Sequence, residues 1–207
     1  MANTIINIGR QFGSGGKEVA MLIGEKLGIK VYDNELISKA AEESGFSKDF
    51  FNRCDEKRSI FSISSFFAGV GAGAGAGIGG TFVNDNDLFK IQSTVIRGIA
   101  EKEPAVIIGR CSDYILRDME CLDVFITAPD DFRLRRITER LNIDEEDAEK
   151  LISRQDKTRE TYYNYFTYGD WGVASNYDLC VDSSILGIEG TADFIIDFGR
   201  KAGLIKL

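Results

Sequence analysis

The feature that most constrains the fold lies near the start of the chain, where an apolar run, a glycine-rich loop and an amphipathic helix follow one another. Residues 4–8 form the short apolar run of a buried strand, and glycines stand at 13, 15 and 16. Apolar residues then recur at helical spacing, at Val19, Ala20, Leu22, Ile23 and Leu27. Such a loop turns its backbone N–H groups, and the positive end of the helix dipole, towards a phosphate. The segment therefore predicts a phosphate-binding loop.

The loop closes with Lys17, which is in register to reach the β- and γ-phosphates of a nucleoside triphosphate. The pattern departs twice from GxxxxGK followed by Ser or Thr. Gln11 occupies the first glycine position, and Glu18 occupies the position of the hydroxyl that holds Mg²⁺. A carboxylate there either binds the metal directly or weakens ATP binding by repulsion. The candidate ATP-binding residues are Gly13, Ser14, Gly15, Gly16, Lys17 and Glu18, and Glu18 is the candidate metal ligand.

The rest of the chain alternates between apolar runs and helical patterns. Strands are predicted at 29–32, 104–109, 122–127 and 177–181, and helical patterns cover 88–99, 132–137 and 188–198. Asp33 is a plausible N-cap for a further helix through Ala41. Five strands alternating with helices predict an α/β fold with a doubly wound, mostly parallel sheet and right-handed crossovers.

The composition limits the catalytic mechanisms and the partners that the chain can have. The chain has 207 residues, a formal charge of −8 and no histidine. The length predicts one domain, and the charge predicts no nucleic-acid polymer or anionic membrane as partner. The absence of histidine excludes Ser-His-Asp and Cys-His catalysis. The four cysteines lack the spacing of zinc or redox sites, and no run is long enough to span a membrane, so we expect a cytoplasmic protein.

Two segments break the regular pattern. Residues 68–80 are nearly all glycine and alanine, which favours a flexible insertion over a hinge or a small-residue packing surface. The apolar residues 60–67 before them could cover a partner subunit or close over a ligand. Aromatic residues concentrated at 162–171 favour packing against the sheet over a base-stacking wall or a dimer contact.

Five stretches, in this order and spacing, resemble the cytidylate kinase-like family of the P-loop superfamily, a divergent branch of the nucleoside monophosphate kinases. They are INIGRQFGSGGKEVAMLIGEKLGIKVYDNELI, AVIIGRCSDYIL, DVFITAPDDFRLRRITERL, LISRQDKTRETYYNYFT and YDLCVDSSILGIEGTADFI. The resemblance implies a single P-loop kinase domain over 1–207, with a five-stranded parallel sheet. It also implies a helical acceptor-binding insertion at 45–85 and a lid region at 141–172.

The resemblance assigns roles to individual residues. Lys17 and two lid arginines would act on the transferring phosphoryl group, the arginines being Arg154 and Arg159. The acceptor would be bound by Asp33, Lys39, Arg110 and Asp182. Lys39 stands where arginine is more usual, and Asp182 could equally cap the next helix. Cys111 stands where cytidylate kinases carry an aspartate that helps to read cytosine.

The activity implied is phosphoryl transfer from ATP, with Mg²⁺, to a nucleoside monophosphate, most simply of the cytidylate type. Two alternatives remain open at this stage: a kinase of another small molecule, and a nucleotide-binding regulatory or interaction protein without turnover. The expected partners are small nucleotides, with a homo-oligomer possible. The basic positions 133, 135, 136 and 140 are expected to be mostly solvated.

Overall fold

The computed structural model of the protein describes residues 3–37 and 85–207. The predictions for Lys39, for most of the insertion at 45–85 and for the segments 60–67 and 68–80 lie outside the described residues.

One five-stranded parallel sheet organises the described part of the chain. Its strands are β1 (Ile5–Arg10), β2 (Lys30–Tyr32), β3 (Ala105–Ile108), β4 (Leu122–Thr127) and β5 (Leu179–Asp182). They lie in the order β2-β3-β1-β4-β5, and every neighbouring pair is parallel. The carboxyl ends of β1, β3 and β4 therefore meet at one edge of the sheet, which is where ligands bind in open α/β folds.

Helices connect the strands. They are α1 (Gly16–Leu27), α2 (from residue 34), α3 (Asp85–Lys102), α4 (Ser112–Ile115), α5 (Asp130–Leu141), α6 (Glu145–Thr167) and α7 (Ser183–Lys201). A 3₁₀ turn, Ala174–Asn176, precedes β5. Among the helices described, none is both long and apolar enough to cross a membrane.

The two faces of the sheet are covered by different helices. Ile6 and Ile8 of β1 pack with residues of α1 and α7, whereas Ile5 packs with α3 on the opposite face. This alternation follows from the two-residue period of a strand. A sheet buried on both faces confirms the predicted doubly wound α/β architecture.

The first strand is longer than its apolar run. Gly9 pairs with Phe125 and Arg10 with Ile126, so the ladder with β4 continues two residues beyond the predicted end at Ile8. The sequence signal stops at Ile8 because Gly9 and Arg10 are not apolar, but backbone pairing does not depend on side-chain polarity. Arg10 is thereby fixed at the carboxyl end of the central strand.

A half-buried carboxylate lies on the sheet. Asn7 Nδ2 donates to Asp123 Oδ1 at 2.7 Å, across β1 and β4. Burial raises the pKa of Asp123 to about 6, against the hydrogen bond from Asn7, with Asp113 and Asp178 adding repulsion. The ionised form of Asp123 is therefore disfavoured in the folded protein.

This raised pKa predicts a pH-dependent stability. Between about pH 4 and pH 6 the folded state binds the Asp123 proton more tightly than the unfolded state, so the free energy of unfolding falls as the pH rises. Asp123→Asn should remove this slope and stabilise the protein at pH 7 by about 1 to 2 kcal/mol, a value reduced from the full shift for solvent screening. Urea denaturation of both proteins at several pH values measures the effect, and parallel pH profiles would contradict it.

Candidate active site

The glycine-rich loop has the backbone geometry that the sequence requires. Gly13 and Gly15 have φ angles of +85° and +78°, in the left-handed region that favours glycine. A Cβ at Gly15 would lie 2.1 Å from Ile188 Cδ1, so a larger residue there would also have to displace the end of that side chain. No side chain caps the first turn of α1, which begins directly after Gly15. Its first N–H groups therefore remain suited to an anion.

Gln11 anchors the loop to the neighbouring strand. Its backbone N–H donates to Ile126 O at 3.0 Å, and its side-chain Oε1 accepts from the Thr127 hydroxyl and from Ala128 N at 3.4 Å. Ser14 Oγ donates to Gln11 O at 2.9 Å. The residue that replaces the first glycine of the motif thus fixes the loop to the end of β4.

Lys17 forms an ion pair with Asp33. Lys17 Nζ lies 2.8 Å from Asp33 Oδ2. The other oxygen of Asp33 accepts from Glu35 N and Leu36 N at 3.1 and 3.2 Å, as an N-cap of α2 does. Burial tends to raise the pKa of Asp33, but the hydrogen bonds from Lys17, Leu36 and Glu35 outweigh it, so the pKa is lowered. The ionised carboxylate therefore connects the loop with the start of α2.

Glu18 forms ion pairs with two arginines of α5. Its Oε1 lies 3.1 Å from Arg136 Nη2 and 3.5 Å from Arg140 Nη1. Arg136 also lies beside the loop, since its Nη2 is 3.5 Å from the position of a Cβ at Gly15. The carboxylate that replaces Ser or Thr at position 18 is therefore compensated by positive charge on α5.

Asp156 of α6 connects the loop with α5. Its Oδ1 accepts from Phe12 N at 2.7 Å, and its Oδ2 lies 2.5 Å from Arg133 Nη1. Arg133 also donates to Phe12 O at 3.1 Å and contacts Asp130 at 2.6 Å. Arg133 is 6% exposed, so it is not one of the solvated positions among the four basic residues. These acceptors compensate the cost of burying its charge.

Three arginines from distant parts of the chain line one pocket beside this loop. Arg10 ends β1, Arg110 follows β3 and Arg159 lies on α6. Arg159 Nη1 donates to Arg10 O at 3.0 Å, and Arg110 lies over the Tyr162 ring at 5.6 Å. The pocket opens between the carboxyl ends of β1 and β3, so the topology of the parallel sheet places the three side chains together.

The guanidinium groups of this pocket lie close enough to repel one another. Burial lowers the pKa of Arg10 well below its usual value, and repulsion from Arg159 and Arg110 lowers it further, while Asp33 and Asp156 partly oppose this. Among the described residues, no carboxylate lies within ion-pair distance of Arg10. Buried guanidinium groups that repel one another are stabilised by an anion bound between them.

The backbone at Arg110 is held in a rare conformation. Arg110 and Cys111 have φ angles of 59° and 55°, in the left-handed region that non-glycine residues seldom adopt. The carbonyl of Arg110 accepts from Gln92 Nε2 at 3.0 Å, and Gln92 Oε1 accepts from Tyr162 OH at 3.3 Å. The fully buried Gln92 of α3 therefore fixes the turn that directs Arg110 into the pocket.

Comparison with known proteins shows the family to which the chain belongs. The profile of the cytidylate kinase-like family matches residues 5–185. The chain belongs to this family. Among curated relatives, a cytidylate kinase of Methanopyrus kandleri is 24% identical over 192 residues, covering 88% of this chain and 86% of the relative. A cytidylate kinase of Sulfolobus acidocaldarius is 28% identical over 108 residues, covering 52% of this chain and 59% of that protein.

Solved structures support the family fold. An uncharacterised protein from Eubacterium ventriosum is 28% identical, with a TM-score of 0.68 over 95% of this chain and 98% of that one. A shikimate kinase from Bacteroides thetaiotaomicron has a TM-score of 0.53 at 13% identity, over 95% of this chain and 98% of that one. The second likeness shows the fold alone, which confirms the predicted P-loop kinase architecture.

The remaining sequence candidates lie apart from the arginine pocket. Arg154 is exposed on α6, on a different side of the helix from Arg159. Asp182 Oδ1 accepts from Ser184 N at 2.8 Å and so caps α7. Arg10 was not among the predicted site residues, although its position directly between a buried strand and the glycine-rich loop is a usable signal. Gln92 was not predicted either, because only the packing of α3 brings it to the site.

A close approach between Arg10 and Gly109 gives a stringent test of this geometry. Gly109 has a φ of +69°, and a Cβ there would lie 2.0 Å from Arg10 Nη1. Gly28 has a similar φ of +67° but no atom within 4 Å of its Cβ position. Backbone strain should lower the free energy of unfolding of both Gly109→Ala and Gly28→Ala by about 1 to 2 kcal/mol. Only Gly109→Ala should also displace Arg10.

The two variants are compared by thermal unfolding in increasing inorganic phosphate. Phosphate should raise the Tm of the wild type and of Gly28→Ala by similar amounts, because binding to the folded state stabilises it. The Tm of Gly109→Ala should respond less. An equal response in all three proteins would show that Arg10 does not contribute to anion binding.

Proposed function

We propose that the protein transfers the γ-phosphoryl group of ATP to a nucleoside monophosphate of the cytidylate type. Membership of the cytidylate kinase-like family and the P-loop kinase fold support a nucleotide kinase. The names of the curated relatives favour cytidylate as the acceptor.

The observation that carries the proposal is the convergence of Arg10, Arg110 and Arg159 beside the glycine-rich loop. A phosphate monoester carries up to two negative charges, and guanidinium groups bind such oxygens in pairs. The pocket contacts the loop through Arg10, whose Cβ lies 2.6 Å from the position of a Cβ at Gly16. A phosphate held by the three arginines would therefore lie next to the phosphates of a nucleotide on the loop.

The loop residues fit the phosphates of ATP. Gly13, Ser14, Gly15 and Gly16 form the backbone cradle, and Lys17 reaches bound phosphate by exchanging Asp33 for it. Bound ATP supplies the phosphoryl group that is transferred. The chain's own contribution is to hold the two phosphates close together, to compensate their charge and to exclude water, which provides most of the acceleration in phosphoryl transfer.

Residues from more than one strand or helix would bind the acceptor. We propose that Arg110 binds the acceptor phosphate, with Asp33, Lys39 and Asp182 as further acceptor-side residues, the last by way of the end of β5. Arg159 binds the acceptor phosphate together with Arg110 and, from that position, compensates charge on the transferring group. Arg154 would join it only if α6 and the rest of the lid region at 141–172 move, because its side chain is exposed.

The fit to Mg²⁺ depends on Glu18. Its carboxylate would have to exchange Arg136 and Arg140 for the ion. The described residues contain no cluster of three or more His, Cys, Asp or Glu that could hold a metal. We therefore propose that Mg²⁺ enters with ATP, bound mainly through phosphate oxygens, as is usual for this ion.

The test is an ADP-release assay with ATP·Mg²⁺ against CMP, dCMP, UMP, AMP and GMP, run beside calorimetric titration of ATP. Turnover with a pyrimidine monophosphate supports the proposal. Turnover only with another phosphorylated or hydroxylated small molecule would show that this molecule, and not a nucleoside monophosphate, is the acceptor. ATP binding without any turnover would favour a regulatory nucleotide-binding protein. The observation that favours this alternative is the pairing of Glu18 with two arginines.

Removing the loop lysine should abolish turnover. Lys17→Ala should lower kcat by about 10²-fold or more, because a positive charge next to the transferring phosphoryl group stabilises charge that develops in the transition state. Lys150→Ala, which removes an exposed lysine paired with Glu146, is the matched control and should leave kcat unchanged. Retained activity in a folded Lys17→Ala protein would exclude the loop as the site of ATP.

A substitution in the pocket should act on the acceptor. Arg159→Gln should raise the KM for the monophosphate by about 10-fold or more while changing the KM for ATP little, because the lost charge is on the acceptor side. Circular dichroism checks the fold, since Arg159 also donates to Arg10 O. Equal effects on both KM values would instead indicate that Arg159 serves the loop.

A further inference from the structure

One carboxylate in the same pocket has no role in the phosphate chemistry. Asp113 of α4 lines the pocket, and its Oδ2 accepts from Tyr163 OH at 2.7 Å. Burial raises the pKa of Asp113, although hydrogen bonds from Tyr163 and from the backbone partly oppose the shift. Among the described residues, no Lys or Arg is within ion-pair distance of this carboxylate. A buried carboxylate without a cation is stabilised by additional hydrogen-bond donors.

Aromatic rings surround Asp113. Tyr163, Trp171 and Tyr177 line the pocket with it. Phe125 lies behind them, with its ring centroid 5.3 Å from that of Trp171 and 5.0 Å from that of Tyr177. Gly9 leaves the space for this arrangement, because a Cβ there would lie 2.8 Å from Phe125. This part of the pocket is suited to a flat ring.

The pocket therefore has two chemically different parts. The carboxylates close to Arg10 are Asp33 and Asp156, and Asp156 is also the one close to Arg159. The charge of Asp113 instead acts on Tyr163, Tyr177 and Cys111. A ligand that fills the pocket would place an anionic group at the arginines and a flat group with an N–H donor at the carboxylate.

We propose that Asp113 reads the acceptor base by accepting a hydrogen bond from its exocyclic amino group. This inference rests on the proposed function. Asp113 lies two residues beyond Cys111, so the carboxylate that reads the base comes from the first turn of α4 rather than from the residue directly after Arg110. The Tyr163 hydroxyl occupies one oxygen of the carboxylate and fixes its orientation.

A carboxylate acceptor at this position distinguishes cytosine from uracil. Cytosine carries an amino donor where uracil carries a carbonyl acceptor, so uracil would place an oxygen lone pair against Asp113. A site with a buried acceptor rejects an analogue that lacks the donor, because the acceptor is then left unsatisfied. CMP should therefore exceed UMP in kcat/KM by about 10-fold or more.

Asp113→Asn is the informative variant because it keeps the shape of the side chain and supplies an amide. If the amide oxygen continues to accept from Tyr163, the amide nitrogen can donate to a uracil carbonyl. The ratio of kcat/KM for CMP over UMP should fall by about 10-fold or more, with an absolute gain for UMP. The KM for ATP should stay unchanged. A merely structural role of Asp113 would lower activity with both substrates alike.

Asp118→Asn is the matched control. Asp118 lies on the same segment of the chain, carries the same charge and pairs with Arg97 outside the pocket. Its substitution should leave the ratio of CMP to UMP unchanged. An unchanged ratio in Asp113→Asn would overturn the inference.

A test on the wild-type protein covers the case in which Asp113→Asn fails to fold. The probe is a CMP analogue with two methyl groups on the exocyclic nitrogen, which has no N–H donor there. It should bind at least about 10-fold more weakly than CMP by calorimetry. Equal binding of CMP and the analogue would overturn the inference.

The two proposals fail in different ways. Turnover of CMP and UMP with equal kcat/KM would overturn the role of Asp113 and leave the kinase function standing. Binding of CMP that weakens in Asp113→Asn, without turnover, would support the base-reading role and overturn the kinase function. If no nucleoside monophosphate binds, both proposals are overturned.

Discussion

The arrangement of the site depends on the space that the Arg10 side chain occupies between two glycines. Its Cβ lies 2.6 Å from where a Cβ would stand at Gly16, and its Nη1 lies 2.0 Å from that position at Gly109. Gly16 is the first residue of α1 and Gly109 directly follows β3, so Arg10 contacts both the glycine-rich loop and the arginine pocket. A larger residue at Gly16 would meet the Cβ of Arg10, whereas one at Gly109 would displace the guanidinium end of that side chain.

Buried charge is distributed unevenly around this residue. Asp156 fixes the loop at Phe12 and compensates Arg133, and Glu18 compensates two further arginines of α5. In the pocket, burial lowers the pKa of Arg10 and repulsion from Arg159 and Arg110 lowers it further, while Asp33 and Asp156 only partly oppose the shift. Carboxylates thus support the frame while the pocket itself stays receptive to an anion.

Much of the fold could be predicted from local patterns. Five apolar runs predicted the five strands, and the alternation of Ile5, Ile6 and Ile8 between the two faces of the sheet follows from strand geometry. The glycine-rich loop and Lys17 were visible because their spacing within the chain is short and fixed. The end of β1 was set two residues too early, because the pairing of Gly9 and Arg10 with β4 is a backbone property without an apolar signal.

Local sequence patterns were enough to predict the order of strands and helices, the glycine-rich loop and the family. The partners of the charged side chains were not predictable in this way. Phe12 N and Asp156 are 144 residues apart in the chain, and Arg136 and Glu18 are 118 apart. Such pairs depend on how helices pack on the sheet, and local periodicity carries no information about that packing. The same reason hid Asp113, whose role as a pocket carboxylate exists only once α4 and α6 lie together.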